Sequence, residues 1–123
     1  MKTIISNEDA KRLRMICEQN KIKLPNCKTY YDYHRAVRIW EKWHRPDIAE
    51  LLDWLLKDLK ESVYDGYWLD MSWIHHNKKW IADYRKHSTQ KSYPENNFWN
   101  ELIDALLELF IWTIENGYYK GIE

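Results

Sequence analysis

Arg35, Arg38, Lys42 and Arg45 recur at helical spacing, with Tyr30, Tyr31 and His34 just before or among them. On a helix turning about 100° per residue, Tyr31, Arg35, Arg38, Lys42 and Arg45 share one side, opposite an apolar face of Tyr33, Ala36, Val37, Trp40 and Trp43. Phosphates call for several cations on one face and bases for aromatic platforms, so this ridge has the equipment of a nucleic-acid contact. The same cations suit an acidic protein surface, and Tyr, Trp and Arg are the residues that interfaces concentrate.

Metal and acid–base chemistry have thinner support. Glu41 and His44 have the Glu-x-x-His spacing of carboxylate-bridged metal bundles, but such bundles use two pairs and the chain has one. His76, Asp83 and His87 share one side of a helix expected over 71–87, with His75 adjacent, a set that could be drawn around Zn²⁺. Histidines beside an aromatic stripe are more often structural. Gly66, Gly117 and Gly121 fall at element ends or in the tail, so no phosphate-binding loop exists, and Cys17 and Cys27 have no neighbouring base. No catalytic residue, metal or cofactor is expected. Arg38 and His44 do have an Arg-x5-His spacing that resembles the short motif of HEPN ribonucleases, themselves small helical bundles. That resemblance covers seven residues and implies RNA cleavage by a paired Arg and His, usually across a dimer. On its own wheel His44 falls on the apolar side, between Val37 and Trp40, where burial disfavours the imidazolium and keeps the ring from substrate.

These side chains need a scaffold, and the stretch over 92–117 reads as its centre. Phe98, Trp99, Leu102, Ile103, Leu106, Leu107, Leu109, Phe110, Ile111, Trp112 and Ile114 cover most of a helical circumference, leaving Glu101, Asp104, Glu108 and Glu115 as an acidic ridge. Ser92 with Glu95 reads as a capping box around Pro94, and Asn116-Gly117 as a left-handed stop. A helix this apolar must be surrounded by others. The first, opened by Ser6 and running to about Asn20, buries Ala10, Leu13, Ile16 and Cys17. The second, capped by Thr29 and Asp32, carries the basic ridge to Pro46, which also begins the third. Ile48, Leu51, Leu52, Leu55, Leu56, Leu59 and Val63 form the third helix's stripe, and Trp54 lies among charges on its far side as a pointer to a second contact surface. Asp65-Gly66 fits a helix stop or a hairpin turn, and the stripe running into it favours the stop. The fourth helix buries Trp73, Ile74, Trp80, Ile81 and Tyr84. The Glu-Leu-x-Asp-x-Leu-Leu run of Glu50 to Leu56 recurs at Glu101 to Leu107, an offset of 51 that would make helices four and five a copy of helices two and three.

The totals bound the rest. A chain of 123 residues fits a single domain, 1–123. Residues 1–46 hold eleven Lys/Arg against five Asp/Glu, and the remainder eight against fourteen, so a neutral whole hides a dipole that suits self-association or a charged partner. Without a secretory segment or a long apolar run, the two cysteines point to a reducing cytoplasm and no membrane. Eight Trp and nine Tyr exceed what such a core needs. The expectation is an all-α bundle of about five helices. It would bind another protein, acidic or a second copy of itself, without catalysis, through Tyr31, Arg35, Arg38, Lys42, Arg45 and Trp54. Nucleic-acid binding by the basic ridge is the alternative, and a HEPN-like ribonuclease the third reading. Abundant Lys, Asn and Ile, as AT-rich genes encode, suit an accessory or inhibitory protein of a bacterium or phage.

Overall fold

In the computed structural model, which describes residues 2–22, 29–40, 45–57, 67–86, 92–95 and 97–119, Ser6 opens the first helix. Its Oγ accepts from the Asp9 amide at 3.1 Å, and α1 then runs Asn7–Gln19 with Leu13 and Cys17 buried. Asn20 closes it, its side-chain amide donating back to the Ile16 carbonyl at 2.8 Å. Cap and spacing are local signals, and here the sequence obeys them.

The second and fourth expected helices are β-hairpins. Strand β1 (Thr29–Asp32) pairs antiparallel with β2 (Val37–Trp40), and β3 (Tyr67–Ile74) with β4 (Lys79–Lys86). Thr, Tyr, Trp, Val and Ile are frequent in these segments, and such residues fit a pleated surface better than a helix. Both connecting loops, 33–36 and 75–78, end on a residue in left-handed backbone, Ala36 at φ 53° and Lys78 at φ 51°. Neither is the Gly or Asn that announces such a turn in sequence. The all-α expectation is therefore overturned: the described residues form three helices and six strands, in a two-stranded and a four-stranded antiparallel sheet.

Helix α2 (Ile48–Lys57) follows Pro46, and its cap is Asp47, whose Oδ1 accepts from the Glu50 amide at 2.8 Å. Its fully buried side chains are Leu51, Trp54 and Leu55. Leu59, Val63 and the Asp65-Gly66 turn lie outside the described residues. The last helix begins later than expected, because Ser92 and Glu95 fall in a strand and the turn after it. Strands β5 (Ser92–Tyr93) and β6 (Phe98–Trp99) both pair with β4, and α3 runs Leu102–Glu115. Gly117 at φ 73° supplies the stop, with the Tyr118 amide donating to the Thr113 carbonyl at 2.8 Å.

Helix α3 touches α1, α2, β4 and β6, which is why its sequence is apolar around most of its circumference. Trp54 of α2 packs on Phe110 with ring centroids 5.1 Å apart, Phe110 meets Tyr119 edge-on at 4.8 Å, and the Tyr84 hydroxyl donates to the Leu55 carbonyl at 2.8 Å, tying sheet to helix. The expected duplication of helical pairs is not there. The offset that lays α2 on α3 would put Ala36 on His87, whereas the hairpin loops align Ala36 with Lys78. What recurs is an order, a hairpin followed by a helix.

Candidate binding groove

The basic ridge does not form among the described residues. Arg35 is exposed in the 33–36 loop, Arg38 stands on β2 directly opposite Tyr31 on β1, and Lys42 lies outside the described residues. Arg45 is half-buried, its Nε donating to the Ile5 carbonyl at 2.8 Å. Trp54, expected outside, is 1% exposed. A strand sends successive residues to opposite faces, so a helical ridge is not built there, and among the described residues of the expected contacts only Tyr31 and Arg38 share a register position. Arg38 on a strand also lacks the helical setting that the HEPN resemblance implies. His75 and His76 are exposed in the 75–78 loop, while His87, Glu41 and His44 lie outside the described residues. Among the described residues no group of three or more His, Cys, Asp or Glu is placed to hold a metal ion.

The residues that do converge were expected in the core. Trp73 is opposite Trp80 and Trp80 is opposite Trp99, so three indoles form one row across β3, β4 and β6. Trp73 and Trp99 are 37% and 38% exposed, and the Trp73 and Trp80 rings lie 5.5 Å apart. The same sheet face is buried at Ala82 and Tyr84 and emerges toward the 75–78 loop. Its signature in the sequence is the period-two run Tyr67, Leu69, Met71, Trp73, invisible to a reading that applied only the helical period.

Asn97 makes the end of this row the wall of a groove. Its buried Nδ2 donates to the Ala82 carbonyl at 2.8 Å and the Ala105 carbonyl at 3.0 Å, while its Oδ1 accepts from Trp99 Nε1 at 2.7 Å. Every polar atom of the amide is thus used, and the indole is held in place. Between residues 94–95 and 97–99 on one side and the Glu108, Ile111, Trp112 and Glu115 stripe of α3 on the other lies an open cavity of about 320 Å³. Among the described residues no Lys or Arg lines it. Glu108 is engaged from outside, both its oxygens gripped by the Arg12 guanidinium of α1. Behind the floor, Tyr93 stacks on Trp112 at 6.4 Å and Trp112 packs on Tyr118 at 5.2 Å.

The other sheet face holds a separate polar cluster. Register sets Asp70 directly opposite Asp83, an arrangement that repels when both are charged. Arg85 Nε relieves it, lying 3.1 Å from an oxygen of each, and the Ser72 hydroxyl donates to Asp70 at 3.3 Å. Asp83 is fully buried and its Oδ2 accepts no hydrogen bond. Burial pushes its carboxyl above the ordinary carboxylate range, Arg85 pulls it back, and Asp70 adds a smaller upward push.

Fold and groove together define a class only, an α+β protein with an aromatic, acid-lined groove on its surface. No protein-family model matches the chain, and no curated protein or solved structure matches it significantly. No described helix is long and apolar enough to cross a membrane.

Proposed function

We propose that this chain is a non-catalytic protein-binding module whose contact surface is the tryptophan row and the groove beside it. The observation that carries the reading is the row itself, Trp73, Trp80 and Trp99 on three adjacent strands with both outer indoles more than a third exposed. Single exposed apolar side chains are ordinary, but aromatics grouped in one row are a contact surface in waiting, and tryptophan is the residue that most often dominates interface energetics. Strand pairing and the Asn97 bond fix Trp99 in advance, so little freedom is lost when a partner covers it. An accessory or inhibitory role in a bacterial or phage setting belongs to the same proposal.

The test is affinity capture from a bacterial lysate, with and without nuclease, using wild type, Trp73→Ala, Trp99→Ala and the double variant. Capture is expected to survive nuclease and to be lost in the double variant, while the melting temperature stays within a few degrees of wild type. A capture that vanishes on nuclease treatment would put nucleic acid in the partner's place. One that ignores both tryptophans would remove this surface from the interaction.

A further inference from the structure

We infer that the groove walled by residues 94–95 and 97–99 and by α3 takes the side chain of a lysine or arginine from a basic segment of the partner, an inference that rests on the protein-binding reading above. The cavity, about 320 Å³, is at the small end of ligand pockets and suits one long side chain better than a folded element. Its walls are of two kinds. Trp99, 38% exposed, and the half-buried Trp112 offer aromatic surface for a methylene stem and its cation, while Glu95 and Glu115 stand exposed at the margin where the charged head would emerge. A carboxylate of the α3 stripe already holds one guanidinium, since Glu108 takes Arg12 with both oxygens. A phosphate or an acidic peptide would instead meet carboxylates, with no Lys or Arg among the described lining residues to receive it.

Fluorescein-labelled Gly/Ser peptides carrying several lysines, and their arginine, glutamine and glutamate counterparts, titrated against the full chain by polarisation, test this directly. The lysine and arginine peptides are expected to bind and the other two not to, with affinity falling as salt rises. Glu95→Gln with Glu115→Gln should weaken lysine-peptide binding about tenfold, and Trp99→Ala about as much. The loss at Trp99 separates the groove from diffuse charge attraction. Glu95 and Glu115 are exposed, so their replacement should leave melting unchanged, and Glu108 is left intact because it joins two helices. A glutamine peptide that binds as tightly as the lysine one, a Glu double variant that binds like wild type, or no binding by any peptide would each overturn the inference. Lysate capture keeps the two readings apart. If it is lost with both row tryptophans replaced but unaffected in the Glu double variant, the cation pocket falls and the binding module stands; if it survives both, both fall. Dimerisation abolished by the Glu variants would assign the basic side chain to a second copy and overturn the separate partner.

Discussion

Trp54 and Leu56 are two residues apart on α2 and end in opposite environments, 1% and 55% exposed. The apolar arc of this helix is wider than its neighbours can cover, so two stripes at i, i+3, i+4 spacing compete, and the one containing the indole is buried against Phe110. Bulk decides, because a buried Trp removes more apolar area from water than a Leu does. Removing an exposed indole would be nearly free; Trp54→Ala is expected to lower stability by about 3 to 5 kcal/mol, comparable with about 2 to 5 for Leu106→Ala in the same core. Equilibrium denaturation of both variants checks this, and a loss at Trp54 well below that at Leu106 would return the indole to the surface. Asp83 gives a prediction of a different kind. Its folded pKa lies above its unfolded one, so the folded state holds more protons between the two values and stability falls as pH rises through that window. Asp104, also pushed up by burial, acts in the same direction, so the wild-type curve alone cannot isolate Asp83. The difference can: Asp83→Asn should gain stability relative to wild type as pH rises from the ordinary aspartate range through the raised folded pKa and then level off, as melting curves measured over a pH series would report. A flat difference would mean that Arg85 offsets the effect of burial.

At the scale of elements, what could be read from sequence was what is written locally and redundantly. Ser6 caps α1, Gly117 stops α3, and Leu13, Ile16 and Cys17, like Leu106, Leu109 and Phe110, keep an i, i+3, i+4 spacing that a strand's period of two does not follow. The hairpins lack such redundancy. Their loops read Tyr-His-Arg-Ala and His-His-Asn-Lys, with neither Gly nor Asn at the left-handed position, and their strands are short enough for an aromatic-rich run to satisfy a helical wheel. The groove was hidden for a related reason, since one wheel ran through Phe98 and Trp99 into α3 and assigned both to a core. The bend at Asn100-Glu101 that separates strand from helix carries no Gly or Pro. Sign, not size, tests the hairpin. In a helix Ala36→Gly would cost about 1 kcal/mol, whereas at φ 53° glycine removes a steric cost of about 1 to 2 kcal/mol and the variant should be the more stable protein. Lys78→Gly should behave alike in the second hairpin, and denaturant midpoints of the two variants decide between the structures.

For the whole molecule, the charge asymmetry of the chain has a spatial counterpart. The acidic surplus of its later part gathers on α3 and the segment before it, where the α1 cation Arg12 reaches Glu108 and the Lys2 amide donates to Glu101 at 3.2 Å. Apolar packing joins sheet and helices, the Tyr84 hydroxyl adds a polar link to α2, and Asn97 is a second staple between layers: one amide donates to a β4 carbonyl at Ala82 and an α3 carbonyl at Ala105. Ala82 and Ala105 are both fully buried, so Asn97→Leu, close in volume but without donors, removes two hydrogen bonds that water does not readily replace and should cost about 1 to 3 kcal/mol. The same change frees Trp99 Nε1 from its acceptor, so the wall of the groove loses its fixed orientation. Two effects should therefore appear together in this variant, a lower denaturation midpoint and weaker binding of the lysine peptide, although Asn97 carries no charge and contributes little surface. Trp73→Ala should separate them, weakening partner capture while leaving the midpoint in place. If Asn97→Leu lowered the midpoint but bound the peptide as wild type does, the indole would be positioned by strand pairing with Trp80 alone, and the staple would serve the fold and not the groove.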